Sequence, residues 1–211
     1  MENTSDVWHR EVITPAAEQT LHELQHASVL TGFYLAGGTG LALQFGHRRS
    51  LDLDFFSLEL FEEDAVLQQV QQVSGFSLDA KSPHTLHAAI GGVKVSFLGY
   101  AYPLLFPLKE FLSIRIAGAR DIACMKLSAI ASRGTRRDFV DLYAAANELG
   151  LPQLLELFHR KYAQARYNTV HILKSLTYFA DAEKDPMPDM LIPLSWDEIK
   201  KFFLEEAPRL L

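Results

Sequence analysis

The sequence predicts an α+β protein, with a mixed sheet flanked by helices in its first half and a helical bundle in its second. Two observations support this division. Short apolar runs and alternating apolar and polar residues, typical of strands, occur within the first 118 residues. Beyond them, apolar residues recur every three to four positions, as in amphipathic helices. We therefore expect a sheet-containing domain over residues 1–118 and a helical region over residues 119–211 packed on it.

The elements of the first half follow in order. Helical periodicity predicts a helix over 14–30, opened by a threonine and a proline. A short apolar run over 33–36, ended by a glycine pair, predicts a buried strand that enters a tight turn. The next residues, 39–45, predict a short helix closed by Gly46. Strict alternation over 51–55 then predicts a strand whose apolar side chains share one face.

The remaining elements complete the sheet and build the bundle. A helix is predicted over 61–73, and strands over 85–90 and 93–98 are joined by a glycine pair, a two-residue hairpin signal. Four helices follow over 120–132, 137–149, 152–165 and 169–182. A last helix begins at Ser195, because the glutamate three residues later completes a capping box.

Composition excludes several classes of protein. The net charge of −6 argues against a protein that coats nucleic acid, because such binding needs many basic side chains. The single cysteine, Cys124, excludes an intramolecular disulfide and a zinc site with several thiolates. A polar start and the absence of a long apolar run argue against secretion and membrane insertion, so we expect a cytoplasmic protein.

One stretch joins a phosphate-type turn to a pair of carboxylates. Gly37 and Gly38 stand at the start of a predicted helix, where backbone N–H groups can approach an anion. Gly38 in particular is expected to need a positive φ. Asp52 and Asp54, two residues apart on a strand, project from the same face and could hold Mg²⁺ with the oxygens of a nucleoside triphosphate. The combination predicts chemistry on a nucleotide.

Each half of this stretch has a plainer interpretation when taken alone. The glycine pair could be only a turn, since it lacks the Gly-Lys-Ser/Thr of the Walker motif. The alternating aspartates could lie on a solvent-facing edge strand. Arg48 could contact phosphate, because guanidinium matches oxyanions, or it could brace the aspartate strand. The two halves together favour the catalytic interpretation.

Two blocks of sequence resemble the nucleotidyltransferase family of the AbiEii/AbiGii toxins, within the polymerase-beta-like superfamily. The matching segments are Tyr34–Thr39, Gly46–Ser50 and Asp52–Phe56 in the first block and Lys126–Ile130, Arg133-Gly134 and Arg137–Tyr143 in the second. This family contains the toxins of type IV toxin–antitoxin and phage-abortive-infection systems. The resemblance implies a polymerase-beta-like fold and the transfer of a nucleotidyl group.

The resemblance also implies roles for individual residues. Asp52 and Asp54 would be catalytic metal ligands, with Mg²⁺, or Mn²⁺ in its place, as the cofactor. Lys126 would contact the triphosphate, and Asp138 would be a further catalytic residue. The phosphates would be held by Gly37, Gly38, Thr39, Ser50 and, unless it braces the strand, Arg48.

The implied substrate is a nucleoside triphosphate, and the implied acceptor is a tRNA-like RNA or a protein. The implied partner is an antitoxin encoded nearby, and no membrane is involved. Despite the negative net charge, an RNA backbone could be received by Arg133, Arg136, Arg137, Arg160, Lys161 and Arg166. Two other functions stay open: a nucleotide-binding regulatory or partner-binding module of weak catalytic power, and a metal-dependent phosphohydrolase, which would not need the glycine turn.

Alternatives also remain for the second block and for the general base. Lys126 lies in an apolar helical run, where a solvent-facing lysine is the ordinary expectation. Asp138 and Asp141 share a helix face and could pair with a nearby arginine. The superfamily brings a third carboxylate from a following strand, but here that strand offers Ser96. We expect Ser96 on the face of the aspartate pair, with Asp79 as the alternative base.

Overall fold

A computed structural model of the chain describes residues 7–165 and 167–210. Over these residues the chain forms eight α-helices and one seven-stranded mixed sheet, which confirms the α+β fold class. None of these helices is both long enough and apolar enough to cross a membrane. Arg166, assigned above to the basic cluster, and most of the polar start of the chain lie outside the described residues.

The described strands form one sheet with a polar residue near its centre. Their bounds are Phe33–Leu35 (β1), Leu53–Ser57 (β2), Phe76–Ser82 (β3), Thr85–Ile90 (β4), Val93–Gly99 (β5), Lys109–Phe111 (β6) and Ile114–Ile116 (β7). The order across the sheet is β3-β4-β5-β2-β1-β7-β6. The pairs β2/β5 and β1/β7 are parallel and the other pairs are antiparallel. Because β2 is the central strand, Asp54 lies in the middle of the sheet.

Local sequence sets several helix ends. The helices are Pro15–His26 (α1), Gly37–Phe45 (α2), Glu63–Val70 (α3), Ala119–Ser132 (α4), Arg136–Leu149 (α5), Leu151–Lys161 (α6), Thr169–Ser175 (α7) and Trp196–Glu206 (α8). The Thr14 hydroxyl accepts a hydrogen bond from the N–H of Ala17 at the start of α1. Ser195 and Glu198 form the predicted capping box at α8. Gly46 ends α2 in the left-handed conformation, with φ 64°.

The chain divides into two compact units. The first contains the residues up to Ala101 together with Leu108–Ala117, and so holds the whole sheet and helices α1 to α3. The second contains Tyr102–Pro107 and the chain from Gly118 onward, and so holds helices α4 to α8. The segment Tyr102–Pro107 therefore belongs with the helices. The boundary between residues 118 and 119 as a limit of independent domains stays a prediction.

Burial alternates along the central strand of the first unit. Leu53 and Phe55 of β2 are fully buried, whereas Asp54 between them is partly exposed. On β5, Val95 and Phe97 are likewise buried. The predicted alternation is therefore confirmed from residue 53. Leu51 was expected to share the apolar face, but it is 63% exposed because it precedes the strand.

An aromatic cluster forms part of the core of the helical unit. Phe139 of α5 is fully buried. Its ring lies 5.2 Å from that of Phe179, 5.8 Å from that of Trp196 and 5.6 Å from that of Phe203, measured between centroids. Such aromatic packing contributes more than buried area alone. The cluster joins α5 to α8 and to the segment that follows α7.

Some predicted bounds are wrong. The helix over 14–30 ends at His26, because turns occupy residues 27–32 and Ser28 takes a positive φ of 57°. The helix over 169–182 ends at Ser175. Strands β6 and β7 were not predicted, since three residues are too few for alternation to be recognised.

Candidate active site

The glycine turn lies against one of the two aspartates. Gly37 begins α2 with a φ of 61°, a backbone angle that residues with a side chain rarely adopt. A Cβ atom at this position would stand 2.8 Å from Oδ2 of Asp54 and 3.3 Å from its Cβ. Glycine is therefore required at 37, because of the positive φ and because a Cβ would clash with Asp54. The backbone of the turn lies against the carboxylate. The expectation of a positive φ at Gly38 is wrong, because Gly38 continues the helix.

Asp52 is fixed through its backbone. The Thr39 hydroxyl of α2 donates to the carbonyl oxygen of Asp52 and lies 2.7 Å from Oγ of Ser50. Thr39 is 1% exposed and Ser50 is 7% exposed. These two buried hydroxyls tie the chain just ahead of β2 to the first turn of α2. The contacts position Asp52, and the binding of phosphate by Thr39 or Ser50 stays a prediction.

Arg48 is buried near the same segment. Its residue is 3% exposed, and its Nη1 donates to the carbonyl oxygen of Arg49 at 2.8 Å. A buried guanidinium bonded to the local backbone supports the interpretation that Arg48 braces the approach to β2. Contact between Arg48 and phosphate stays a prediction.

Ser96 lies beside Asp54. The parallel register of β2 and β5 pairs Asp54 with Ser96. Their neighbours along both strands are buried, so the hydroxyl and the carboxylate lie on the other, partly exposed face. The expected placement of Ser96 is confirmed with respect to Asp54. The alternative base is wrong, because Asp79 lies on edge strand β3, with β4 and β5 between it and β2.

The carboxylates of Asp52 and Asp54 are oxygen ligands of the kind that a hard cation prefers. Within residues 7–165 and 167–210, no group of three or more His, Cys, Asp and Glu side chains is arranged to hold a metal. Mg²⁺ is commonly held by one or two carboxylates, with substrate phosphates and water completing its octahedron. Asp54 beside a turn that can accept an anion has the chemistry to hold such an ion. Asp52 was predicted on the same strand but precedes β2, and metal binding by the two aspartates stays a prediction. When bound, the cation would neutralise charge on a triphosphate.

A buried lysine joins two carboxylates in the helical unit. Lys126 of α4 is 6% exposed, so the expectation of a solvent-facing lysine is wrong. Its Nζ lies 2.9 Å from Oδ1 of Asp138 and 2.7 Å from Oδ2 of Asp141, both on α5. The spacing of three residues turns both carboxylates toward α4. Contact of Lys126 with a triphosphate and a catalytic role of Asp138 stay predictions.

Asp138 is held as a carboxylate by several donors. Burial would raise its pKa, but the charge of Lys126 and the interactions with Arg133 and Thr135 lower the pKa to about 2. Arg133 Nε donates to Oδ2 at 3.0 Å, and the Thr135 hydroxyl donates to the same oxygen at 2.6 Å. A carboxylate of such low pKa is ionised at neutral pH and accepts protons poorly. These contacts favour a role for Asp138 in positioning the positive charges of Lys126 and Arg133 over a role as general base.

Two members of the expected RNA-binding cluster have structural roles. Lys161 and Asp121 are both fully buried, with Nζ 2.7 Å from Oδ1. The Arg136 guanidinium lies over the Trp196 ring, 4.8 Å from its centroid, and pairs with Glu183 at 3.1 Å. The assignment of the fully buried Lys161 to RNA binding is therefore wrong, and that of Arg136 stays a prediction. The sequence does not reveal that Lys161 is buried, because its partner Asp121 lies forty residues earlier in the chain.

The helical unit also contains a basic cavity of about 370 Å³. Its lining includes the polar side chains of Ser132, Arg133, His171, Lys174, Ser175, Tyr178 and Asp181. Asp181, the acidic member, pairs with Lys184 at 2.8 Å. The Arg133 side chain is 65% exposed, and Lys174 is exposed. The cavity therefore presents positive charge to solvent, while the hydroxyls of Ser132 and Ser175 donate to backbone carbonyls.

A mixed sheet with a glycine turn against a central aspartate, followed by helices, defines the polymerase-beta-like nucleotidyltransferase fold. Solved structures share it. MenT4, a nucleotidyltransferase toxin of Mycobacterium tuberculosis, aligns with a TM-score of 0.53 and 16% identity over 92% of this chain and 87% of that chain. The antibiotic-resistance factor ANT(2'')-Ia aligns with a TM-score of 0.53 and 14% identity over 72% of this chain and 94% of that chain.

Sequence comparison identifies the family. The family model for the nucleotidyl transferase AbiEii toxin, type IV TA system, matches residues 99–209. The chain belongs to this family and is a nucleotidyltransferase, which confirms the resemblance. It is also 38% identical to the uncharacterised protein aq_aa25 of Aquifex aeolicus (strain VF5), over 92% of this chain and 95% of that protein. The matched segment contains Lys126, Asp138 and Asp141, whereas the glycine turn and the aspartate pair precede it.

Proposed function

We propose that the protein transfers a nucleoside monophosphate from a nucleoside triphosphate to an RNA hydroxyl in a Mg²⁺-dependent reaction. One observation carries the proposal: the Gly37 turn contacts the Asp54 carboxylate at the centre of the sheet. This contact brings backbone N–H groups that suit an anion next to oxygen ligands that suit a divalent cation. A metal–triphosphate complex requires both.

The residues of this chain have distinct tasks in the proposed reaction. The backbone at the start of α2 binds the phosphates, and Asp52 and Asp54 hold the cation. Thr39 keeps Asp52 in place through its carbonyl oxygen. The acceptor oxygen attacks the alpha-phosphorus, the bond from that phosphorus to the bridging oxygen breaks, and pyrophosphate leaves. The turn and the aspartates thus orient the triphosphate for in-line attack.

The basic cavity of the helical unit supports RNA as the acceptor. The exposed Lys174 carries its positive charge together with Arg133, which also pairs with Asp138, while Asp181 pairs with Lys184. A guanidinium and an ammonium in one cavity suit phosphate oxygens of an RNA backbone. A concentrated local charge of this kind can bind RNA although the whole chain carries a net charge of −6.

Label transfer tests the reaction and its metal. The protein is incubated with each alpha-labelled nucleoside triphosphate, total tRNA, and Mg²⁺, Mn²⁺ or EDTA. We expect labelled RNA and released pyrophosphate with a divalent cation, and neither with EDTA. Asp54→Asn should abolish both, whereas Asp79→Asn, on the edge strand, should retain both. Triphosphate binding without pyrophosphate release would support the regulatory module, and release of inorganic phosphate would support a phosphohydrolase.

A charge reversal tests the acceptor. Lys174→Glu should lower the yield of labelled RNA and leave the affinity for the triphosphate, measured by calorimetry, unchanged. The control is Lys201→Glu, which reverses the charge of a lysine that is 75% exposed on α8. Label on the protein instead of the RNA would identify a protein acceptor, and equal RNA labelling by both variants would reject the cavity as the RNA site.

Membership in a toxin family motivates a genetic test of the partner. Expression of the chain should slow bacterial growth, and expression of Asp54→Asn should not. Co-expression of the reading frame next to this gene should restore growth if it encodes the antitoxin. Equal toxicity of the wild type and the Asp54→Asn protein would separate toxicity from nucleotidyl transfer.

A further inference from the structure

The central strands place a serine where a proton acceptor is needed. Ser96 of β5 is the direct neighbour of Asp54 on β2, and both are partly exposed on the face opposite the buried side chains. A hydroxyl at this position can contact the acceptor, but a neutral hydroxyl is a weak base. It can remove a proton only by passing its own proton to another group.

That other group lies on the next strand. The antiparallel register of β4 and β5 pairs His87 with Ser96, and Nδ1 of His87 lies 3.1 Å from Oγ of Ser96. On its other side His87 faces Ala80 of β3, whose methyl group has no donor or acceptor for the imidazole. Asp54, Ser96 and His87 therefore form a row across three adjacent strands, which are about 4.8 Å apart.

The imidazole presents Nδ1 to Ser96 and has few charged neighbours along β5. The charged side chain nearest to Ser96 along β5 on the same face is that of Lys94, which is exposed. In the neutral imidazole, one ring nitrogen accepts a hydrogen bond while the other carries the proton. His87 is partly exposed, so a proton gained at Nδ1 can leave from Nε2 to water.

We infer that Ser96 and His87 together take the place of the third carboxylate. As the acceptor oxygen bonds to the alpha-phosphorus, its proton passes to Ser96 Oγ and the Ser96 proton passes to His87 Nδ1. Pyrophosphate leaves with the electrons of the broken phosphorus–oxygen bond, and the imidazolium then releases its proton to solvent. Ser96 touches the acceptor, and His87 acts through Ser96. The inference rests on the proposed nucleotidyl transfer.

Single-turnover transfer of label tests the pair. We expect His87→Ala and Ser96→Ala each to lower the transfer rate about 100-fold, with the triphosphate affinity unchanged by calorimetry. His26→Ala, on the exposed end of α1, is the control and should transfer at the wild-type rate. Imidazole added to the solution should restore transfer by His87→Ala. Unchanged triphosphate binding also verifies that each variant is folded.

A double variant separates a proton-transfer role from a structural one. Ser96→Asp supplies a carboxylate at the same position, so adding His87→Ala to it should change the rate less than about twofold. The inference would be overturned if His87→Ala lowered the transfer rate equally in the wild type and in Ser96→Asp. It would also be overturned if His87→Ala alone transferred at the wild-type rate. If the wild type labels neither RNA nor itself, the proposed function fails. If Asp54→Asn abolishes transfer while His87→Ala does not, only this inference fails.

Discussion

Replacing Lys126 by methionine should destabilise the protein by several kcal/mol and change how its stability depends on pH. In the wild type the pKa of Asp138 is lowered from 3.8 to about 2. A lowered folded-state pKa contributes stability that is present above the unfolded pKa and is lost as the pH falls from about 4 toward 2. A displacement of nearly two pH units corresponds to about 2–3 kcal/mol at neutral pH.

Methionine keeps the volume of the lysine stem but removes the cation from two buried carboxylates. Asp138 is 1% exposed and Asp141 is fully buried, and breaking such a pair costs about 3–5 kcal/mol. Without the cation, two carboxylates on one helix face stay buried with Arg133 and Thr135 as donors to Asp138, so protonation of one carboxylate relieves their repulsion and the variant should regain stability as the pH falls from 7 toward 4.

Urea unfolding, followed by far-UV circular dichroism between pH 4 and pH 8, measures the effect. Lys201→Met is the control, because its pair with Glu205 is exposed and 3.9 Å long, and such pairs contribute less than about 1 kcal/mol. Adding Asp141→Asn to Lys126→Met should recover part of the lost free energy of unfolding, because it removes one of the two carboxylates that the lysine compensated. A Lys126→Met protein within about 1 kcal/mol of the wild type at pH 7, with the same pH dependence, would refute the reasoning.

Three further predictions concern single sites. Gly37→Ala should lower stability more than Gly91→Ala and should also weaken triphosphate binding. Both glycines have a positive φ, but of the two only a Cβ at 37 would meet another atom, Oδ2 of Asp54 at 2.8 Å. Equal effects of the two variants in thermal melts and calorimetry would contradict this. Burial raises the pKa of the Cys124 thiol to about 12, so iodoacetamide at pH 8 should label it in urea and not in the native protein, as mass spectrometry can verify. Ser195→Ala removes a helix cap and should cost about 1 kcal/mol in thermal unfolding; an unchanged melting temperature would exclude a stabilising cap.

The part of the site that local patterns determine could be predicted from the sequence. The alternation around Asp54 and the glycine turn at the start of α2 each follow from residues within one element. The buried state of Lys126 could not, because its exposure depends on where α5 presents Asp138 and Asp141. The periodicity of one helix shows which of its faces is apolar but not which helix packs on that face.

The contact between His87 and Ser96 could have been predicted from the sequence. A two-residue hairpin loop pairs the residues on either side of it, here Ile90 and Val93. Counting three residues back from the first and three forward from the second gives His87 and Ser96. The neighbouring pair, Asp54 with Ser96, could not be counted in this way, because no turn joins the parallel strands β2 and β5.

The segment Tyr102–Pro107 has a consequence for dissecting the molecule. Asp121 accepts hydrogen bonds from the N–H groups of Leu105 and Phe106, and Lys161 donates to the carbonyl oxygen of Pro103 at 2.8 Å. A fragment cut at residue 118 would strip these partners from a fully buried ion pair. The sheet and the helices therefore cannot be exchanged as modules by one recombination event at that point. The family match begins at residue 99, ahead of this segment, so the stretch that the family model covers includes the partners that the buried pair requires.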